Sequence, residues 1–346
     1  MKKFLIFFLF IGTLCNAQSF QNFLINQIIT QNINNIADDA ILYSDRYISP
    51  ATDVAVYQEA SGWIYSAKKQ KRWSTNFGIH SNLFLVPNKN KEFELKNSEL
   101  KFLKIQNASS SILPTALGND DQVRISNKAN PLLGLSANLL SIKTAQGVNQ
   151  SVIFYPHLSG SICIGSGTDI IVKYAPISKL GKGNYQVYGF GLSHNLSQYF
   201  KSLEDKNFNL ITVLSKSSAK IGFDFLNADA QSSISSLGIE KITGTIDTWQ
   251  FQINASKEYR KFEIMGGIIA NYSGFKYEVS GETGPLGLIF PLQTTLNNRL
   301  GDLSKNKLNI IAELSATYNF RKFYFQSAFA FSKFLNSNIS VHYKIN

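Results

Sequence analysis

The sequence NKLNIIAELSATYNFRKFYFQSAFAFSKFLNSNISVHYKIN, residues 306–346, alternates apolar and polar side chains almost throughout. In its first part, apolar residues such as Leu314 oppose polar residues such as Glu313 and Ser315. The alternation restarts after Arg321 and again near Asn338. Because successive side chains of a strand point to opposite faces, each segment has one apolar and one more polar face. Segments of roughly nine to fifteen residues can cross a bilayer when tilted, so the pattern predicts a transmembrane β-barrel.

The N-terminus has the features of an export signal. Residues 1–3 are basic at two positions, residues 4–14 are apolar, and Cys15 and Ala17 are the small residues that a signal peptidase reads. We predict a signal peptide over residues 1–17, cleaved after Ala17. Cys15 leaves a lipoprotein as the alternative, although Leu14 stands where lipoproteins have a small residue. Export together with barrel strands predicts the outer membrane of a Gram-negative bacterium.

Composition agrees with a surface that is partly in contact with lipid. Charged residues make up 16% of the chain, against about 25% in ordinary soluble domains. The net charge is +11, and the one tight basic cluster spans residues 68–72. That cluster is too short for a nucleic-acid surface and is better explained as solvated charge near lipid head groups. The predicted partners are outer-membrane lipid, the barrel-assembly machinery and a solute that the sequence does not identify, with no nucleic acid.

The alternating segments predict an all-β antiparallel barrel of about twelve strands, with ten to fourteen possible, over residues 71–346. Short connections fall mostly at one end and long ones at the other, as in bacterial barrels whose short turns face the periplasm. The connection around residues 107–131 does not fit this rule. It is long, but counting twelve strands back from the C-terminus places it at the end with the short turns. The predicted strands are residues 75–86, 91–106, 134–146, 151–164, 168–176, 185–199, 207–221, 243–257, 261–279 and 306–320, with two more in 323–345.

Residues 18–70 differ from the barrel that follows. Apolar residues between Phe20 and Ile41 recur at near-helical spacing, and Ser49-Pro50 predicts the end of that helix. A periplasmic or lumen-inserted helix is therefore expected before the barrel. Two interpretations remain open: a plug that gates the pore, or a helix that packs under the barrel mouth.

Six short blocks rich in aromatic residues, glycine and proline are spaced through most of the chain. They are YISP at 47–50, GWIYSA at 62–67, FLVP at 84–87, PHLSG at 156–160, KYAP at 173–176 and YGFGLSH at 188–194. In these blocks the chain resembles an uncharacterised Bacteroidota outer-membrane β-barrel family that is itself distantly similar to long-chain fatty-acid transporter barrels. The resemblance implies a barrel in the outer membrane and implies no ligand or catalytic residue. The chain departs from it at Lys173 and Ala175, where Arg and Leu are common, and in ending at Asn346 instead of an aromatic residue.

Candidate functional residues must lie in the lumen. Ser193 and His194 suggest a nucleophile and its base, but neighbours on a strand point to opposite faces. The four histidines lack metal-ligand spacing, and the glycines within strands, such as Gly189, indicate either local bending or close approach of a plug. No catalytic residue, metal or cofactor is predicted. The residues predicted to line the lumen are Gln250, Gln252, Asn254, Glu313 and His194.

Three functional classes remain open. A passive transporter or channel for small or hydrophobic solutes is favoured, because a barrel of about twelve strands encloses a lumen that residues 18–70 can close. The alternative is a structural or secretion-associated barrel without a permeation path. An outer-membrane enzyme is the third class, and the prediction is that the protein is not an enzyme.

Overall fold

The structure is a computed structural model. It describes residues 2–345 apart from 130, 132–135, 139–140, 182, 205, 226, 229–237, 285–290 and 302–304. For residues 2–26, 180, 204, 227 and 228 it describes the backbone alone.

Ten antiparallel strands form a closed barrel. Each strand pairs with its neighbours in sequence, and the last strand closes the barrel against the first, with Val341 opposite Ile79. Closure leaves no unpaired sheet edge, which the bilayer requires because lipid cannot satisfy free backbone groups. The strands are β1 Thr75–Leu85, β2 Val152–Gly165, β3 Thr168–Leu180, β4 Gly183–Asn195, β5 Phe208–Asp224, β6 Lys241–Tyr259, β7 Phe262–Ser280, β8 Asn306–Phe320, β9 Phe323–Phe331 and β10 Leu335–Lys344.

The predicted alternation sorts the side chains between the two faces of this wall. On β8, Leu314 is 53% exposed on the outer face, whereas Glu313 and Ser315 are 7% and 3% exposed on the inner face. Phe251 on β6 and Phe325 on β9 are outward in the same way, at 52% and 45% exposure. The outer face of the barrel is therefore apolar, as the period of two predicts. The inner face carries the polar residues together with buried apolar ones such as Ile211 and Met265.

The predicted number of twelve barrel strands is wrong, because the structure has ten. Residues 91–106 form only the short strands Glu92–Lys96 and Leu103–Ile105, which lie outside the barrel. Of residues 134–146, which lie partly outside the described residues, Ser141–Lys143 also joins a separate small sheet. Leu95 and Leu103 point into a core shared with the N-terminal helix, so their apolar periodicity serves packing on that helix and not contact with lipid.

The connections between strands differ in length at the two ends of the barrel. We call the end with connections 166–167, 196–207, 260–261 and 321–322 the turn end, and the end with connections 86–151, 181–182, 225–240, 281–305 and 332–334 the loop end. With two strands fewer, residues 86–151 become a single connection at the loop end. This placement removes the exception at residues 107–131, because the three longest connections, 86–151, 225–240 and 281–305, all lie at the loop end.

The loop-end connections build an outer layer above the barrel. It contains the short strands Glu92–Lys96, Leu103–Ile105, Ser110–Pro114, Arg124–Asn127, Ser141–Lys143 and Asn227–Ala228, together with helix α3, Leu292–Leu300. Helix α3 buries Leu292, Leu296 and Leu300. A short helix, α2 Lys201–Glu204, lies at the turn end.

The N-terminal helix α1, Lys2–Ala60, passes through the outer layer into the barrel. The predicted helix end at Ser49-Pro50 is wrong, because Pro50 lies inside the helix. Proline removes the helical hydrogen bond to the carbonyl of Arg46. Next to that carbonyl, the carbonyl of Tyr47 accepts a bond of 2.9 Å from the Ala116 N–H of the outer layer. Tertiary contacts thus hold the helix together where the local sequence favours a stop.

Among the described residues, no helix is both long and apolar enough to cross a membrane.

Candidate functional site

The interior of the barrel is filled by the last turns of α1 and by residues 61–70, which together we call the plug. Lys173 on β3 caps the end of the helix, because its Nζ donates to the carbonyls of Glu59 at 2.9 Å and of Ser61. A lysine at a helix C-terminus is favourable because the last carbonyls lack helical partners and carry partial negative charge. Lys173 also lies 4.4 Å from the ring centroid of Trp63, so one buried cation fixes both the helix end and the first turn after it.

Trp63 occupies a slot in the wall made by two glycines. Its Nε1 donates to the carbonyl of Glu59 at 2.7 Å, which holds the indole against the helix end. A β-carbon at Gly189 would lie 2.8 Å from Cη2 of Trp63, and one at Gly191 would lie 3.0 Å from Cζ3. Of the two explanations that the sequence leaves open, close approach of the plug therefore accounts for these glycines of β4.

Two buried carboxylates lie between the plug and the strands β6 to β8. Thr248 Oγ1 donates to Glu59 at 2.5 Å and also lies 2.9 Å from Ser273 Oγ. On the same strand as Thr248, Gln252 Nε2 donates to Glu313 of β8 at 3.2 Å. These carboxylates and Lys173 are all buried, and charges in such a position persist only when partners compensate them.

Amide and imidazole side chains surround the plug on the side of β1, β2 and β10. Ser61 Oγ donates to Asn82 Oδ1 at 2.8 Å, and Gln58 contacts both Asn82 and His157. His80 stacks on His157 with ring centroids 4.3 Å apart and bonds Ser159 Oγ at 2.8 Å. In the part of the chain that is described, no group of three or more His, Cys, Asp or Glu side chains is placed to hold a metal ion.

Towards the turn end, wall side chains bind the backbone of the plug. The carbonyl of Tyr65 accepts from Thr317 at 2.8 Å, that of Ile64 from Gln326 at 3.2 Å, and that of Ala67 from Asn195 at 2.7 Å. The Ala67 N–H donates to Glu263 at 2.9 Å. Gln250 Nε2 donates to the Ala60 carbonyl at 3.2 Å. With this bond and those of Lys173, the main chain of the plug is held by six strands: β3, β4, β6, β7, β8 and β9.

One row of the inner wall has polar atoms without partners. Gln250 lies opposite Ser215 on β5 and opposite Asn271 on β7. Within the described chain, Gln250 Oε1, Ser215 Oγ and both amide atoms of Asn271 have no hydrogen-bond partner although they are buried. Buried polar atoms are normally satisfied by protein or by ordered water, so this row is one part of the wall that is suited to water.

Of the five residues predicted to line the lumen, four face it. Gln250, Gln252, Asn254 and Glu313 are buried on the inner face. The structure places His194 elsewhere: its neighbours Ser193 and Asn195 are buried inside, and its own ring contacts Thr168 Oγ1 at 2.8 Å and Tyr199 OH at 3.1 Å near the turn end. The Ser193 hydroxyl instead donates to Asp169 at 3.1 Å. Lys173, Trp63 and Glu59 also lie in the lumen, but no sequence signal predicts this role; Lys173 differs only in departing from a family block.

The outer layer holds the upper part of α1. Asp39 accepts three backbone N–H bonds, from Lys101 at 2.6 Å, Phe102 at 2.8 Å and Leu103 at 2.7 Å. Further along the helix, Arg46 donates to both carboxylate oxygens of Glu99, at 2.6 and 3.0 Å. These hydrogen bonds from Arg46 lower the pKa of Glu99 to about 2. Helix α1 is thus held at the loop end as well as inside the barrel.

The comparison with protein families covers nearly the whole chain. A family of unknown function, DUF6588, matches residues 1–345. The chain belongs to this family. No curated protein matches this member of the family.

Several solved structures are similar to this family member at low identity. The translocator domain of the autotransporter NalP from Neisseria meningitidis is 10% identical, with a TM-score of 0.37 over 88% of this chain and 99% of that chain. OprG, an outer membrane protein from Pseudomonas aeruginosa, is 9% identical, with a TM-score of 0.26 over 81% and 100%. The outer membrane protease OmpT from Escherichia coli is 9% identical, with a TM-score of 0.28 over 81% and 100%. At these scores, none of the three carries an argument about this chain.

Proposed function

We propose that the chain is an outer-membrane β-barrel protein in which the plug closes the pore, and that it is a passive transporter or channel for small or hydrophobic solutes when the plug moves. The orientation that goes with this proposal has the loop end outside and the turn end in the periplasm, because long connections are extracellular in bacterial barrels. Outer-membrane lipid contacts the apolar belt, and the barrel-assembly machinery inserts the chain. A hydrophobic solute is the first candidate, because the sequence blocks resemble a family that is expected to be distantly similar to long-chain fatty-acid transporter barrels.

The observation that carries this proposal is the polar part of the surface between the plug and the wall, which lies beside an apolar cluster that includes Trp63 and Val213. Gln250, Ser215 and Asn271 leave polar atoms unpaired at this surface, and Glu59 and Glu313 lie beside them. A permanent filling would be expected to be apolar, because unpaired buried polar groups cost free energy. Polar atoms of this wall become hydrated when the plug leaves. The free energy of the open state is therefore lower than it would be for a barrel with an apolar lumen.

The alternative is a structural or secretion-associated barrel without a permeation path. It is favoured by the close fit of Trp63 against Gly189 and Gly191 and by the three carbonyl contacts of Lys173. An outer-membrane enzyme is the third candidate, and no described contact joins Ser193 to His194.

Planar-bilayer recordings on the refolded full chain test the proposal. Lys173→Met removes the charged donor from the helix end, and we expect open events to become at least about tenfold more frequent, since one hydrogen bond to a charged group is worth about 1.5–3 kcal/mol. The matched control is Lys179→Met, on the same strand but exposed near the loop end. Heat-modifiable migration on gels checks that both variants fold. If neither the parent nor folded Lys173→Met conducts, the alternative without a permeation path is favoured.

A further inference from the structure

The direction in which α1 runs through the barrel is fixed by contacts at three levels. Asp39 binds the outer layer at Lys101–Leu103, at the loop end. Glu59 lies twenty residues further on and binds Thr248 within the wall, a rise of about 30 Å at 1.5 Å per residue. Ala67 then binds Glu263 near the turn end. The chain therefore enters at the loop end and leaves at the turn end, where β1 begins.

Because α1 runs in this direction, the chain crosses the membrane an odd number of times. The plug crosses the barrel once and the ten strands cross it ten times, so the two ends of the described chain lie on opposite sides. Asn34, whose carbonyl accepts a bond of 3.2 Å from Arg299 of α3, is already at the loop end. If the C-terminus lies in the periplasm, as proposed above, the residues before Asn34 lie outside the cell.

We propose that this barrel carries its own N-terminal segment across the membrane and displays it on the cell surface. Its cargo is a polypeptide chain, namely the residues that precede the plug after export. The inference rests on the orientation in the proposed function but not on solute transport. The exported N-terminus starts on the periplasmic side and must reach the loop end. The lumen is therefore the route by which the N-terminal segment crosses the membrane.

The chemistry of the wall fits such a cargo. Gln250, Gln326, Thr317, Asn195 and Lys173 donate to main-chain carbonyls of the plug. Every residue of a polypeptide offers a carbonyl acceptor, so these donors can bind a passing chain whatever its side chains are. The slot formed by Gly189 and Gly191 instead fits one particular side chain, the indole of Trp63. Binding of Trp63 in this slot fixes the position along the chain at which passage stops.

Surface labelling of intact cells tests the inference on the full chain. An epitope is inserted after Gln18, with separate versions of the protein tagged at Asp120 in the outer layer and at Arg321 at the turn end. We expect antibody to reach the Gln18 and Asp120 tags on intact cells, and the Arg321 tag only after permeabilisation. A Gln18 tag that needs permeabilisation while the Asp120 tag does not overturns the inference and leaves the orientation intact. Labelling of the Arg321 tag alone on intact cells overturns both.

A second experiment tests passage through the lumen. A flexible Gly/Ser segment is inserted before the epitope, and in a parallel version a small disulfide-closed domain takes its place. We expect surface signal for the flexible cargo and its loss for the closed domain, with recovery when the cysteines of that domain are replaced by serine. Equal display of the closed and open cargoes overturns passage through the lumen.

Discussion

At the scale of single residues, the contact between Gly189 and Trp63 determines how tightly the plug fits. Gly189→Ala adds a β-carbon 2.8 Å from the indole and is expected to lower the free energy of unfolding by about 1–3 kcal/mol, the usual cost of overpacking. Gly266→Ala is the control, because the nearest atom to its added carbon lies 3.8 Å away. Urea titrations in lipid vesicles measure both. The cost at Gly189 should shrink in a Trp63→Ala background, and a cost that is the same in both backgrounds contradicts the fit.

The outer face allows a second test on single residues of β8. Leu314→Arg places a charge near the middle of the apolar belt and is expected to cost about 2–4 kcal/mol, whereas Leu308→Arg, nearer the loop end of the same strand, should cost about 0–1 kcal/mol. Both leucines are exposed on the outer face, at 53% and 67%. The same vesicle titrations decide the result. Equal penalties would argue against a bilayer around this face.

Sequence alone could assign faces to these residues but not partners. Alternation placed Leu314 outside and Glu313 inside, because the period of two depends only on local backbone geometry. The role of Gly189 depends on Trp63, which is far away in sequence, so no local pattern points to it. Lys173 is also more than a hundred residues away in sequence from the helix end that it caps. His194 is predicted to line the lumen, but the parity of β4 puts it on the outer face.

At the scale of elements, the ion pair between Arg46 and Glu99 makes the docking of the outer layer on α1 depend on pH. Arg46 holds the pKa of Glu99 at about 2, below its ordinary value of 4.5. A carboxyl whose pKa is lowered on folding stabilises the folded state above pH 4.5, and that contribution is lost as the pH falls towards 2. We expect amide exchange around Lys96, whose N–H bonds Glu99 at 3.0 Å, to accelerate over this range beyond its intrinsic pH dependence. Glu99→Gln should abolish that additional dependence, and an unchanged profile contradicts the assignment.

Two elements that the sequence predicts wrongly, a barrel strand over residues 91–106 and a helix end at Ser49-Pro50, have a common cause. Residues 91–106 and the Ser49-Pro50 step were assigned from local patterns, and each is overridden by packing between the outer layer and α1. Leu95 is buried against that helix core, and Ala116 supplies a donor near Pro50. Periodicity can show that a segment has an apolar face, but it does not show whether lipid or protein covers that face.

At the scale of the whole molecule, the barrel was predictable and the plug only partly so. The eight strands after β2 have strong alternation and short or clearly bounded connections, so their existence follows from sequence. A lumen-inserted helix was among the expectations, but its entry from the loop end was not, because helical periodicity carries no information about which end of a barrel a helix enters. That direction follows only from contacts such as Asp39 with Phe102.

The relative stability of plug and barrel decides between a gate and a permanent filling. Trp63 is 3% exposed in the lumen, whereas Trp73 and Trp249 are more than half exposed, and the chain has three tryptophans. Replacing the two exposed ones with Phe leaves fluorescence that reports on the plug alone. Part of the surface between plug and wall consists of polar atoms without partners, whereas the barrel is closed by continuous strand pairing. We therefore expect the plug to be the less stable unit. In urea titrations in vesicles, Trp63 emission should then shift at a lower denaturant concentration than the loss of β-sheet circular dichroism. Coincident midpoints would show that plug and barrel unfold as one unit, and the solute pathway would then have no gate to open.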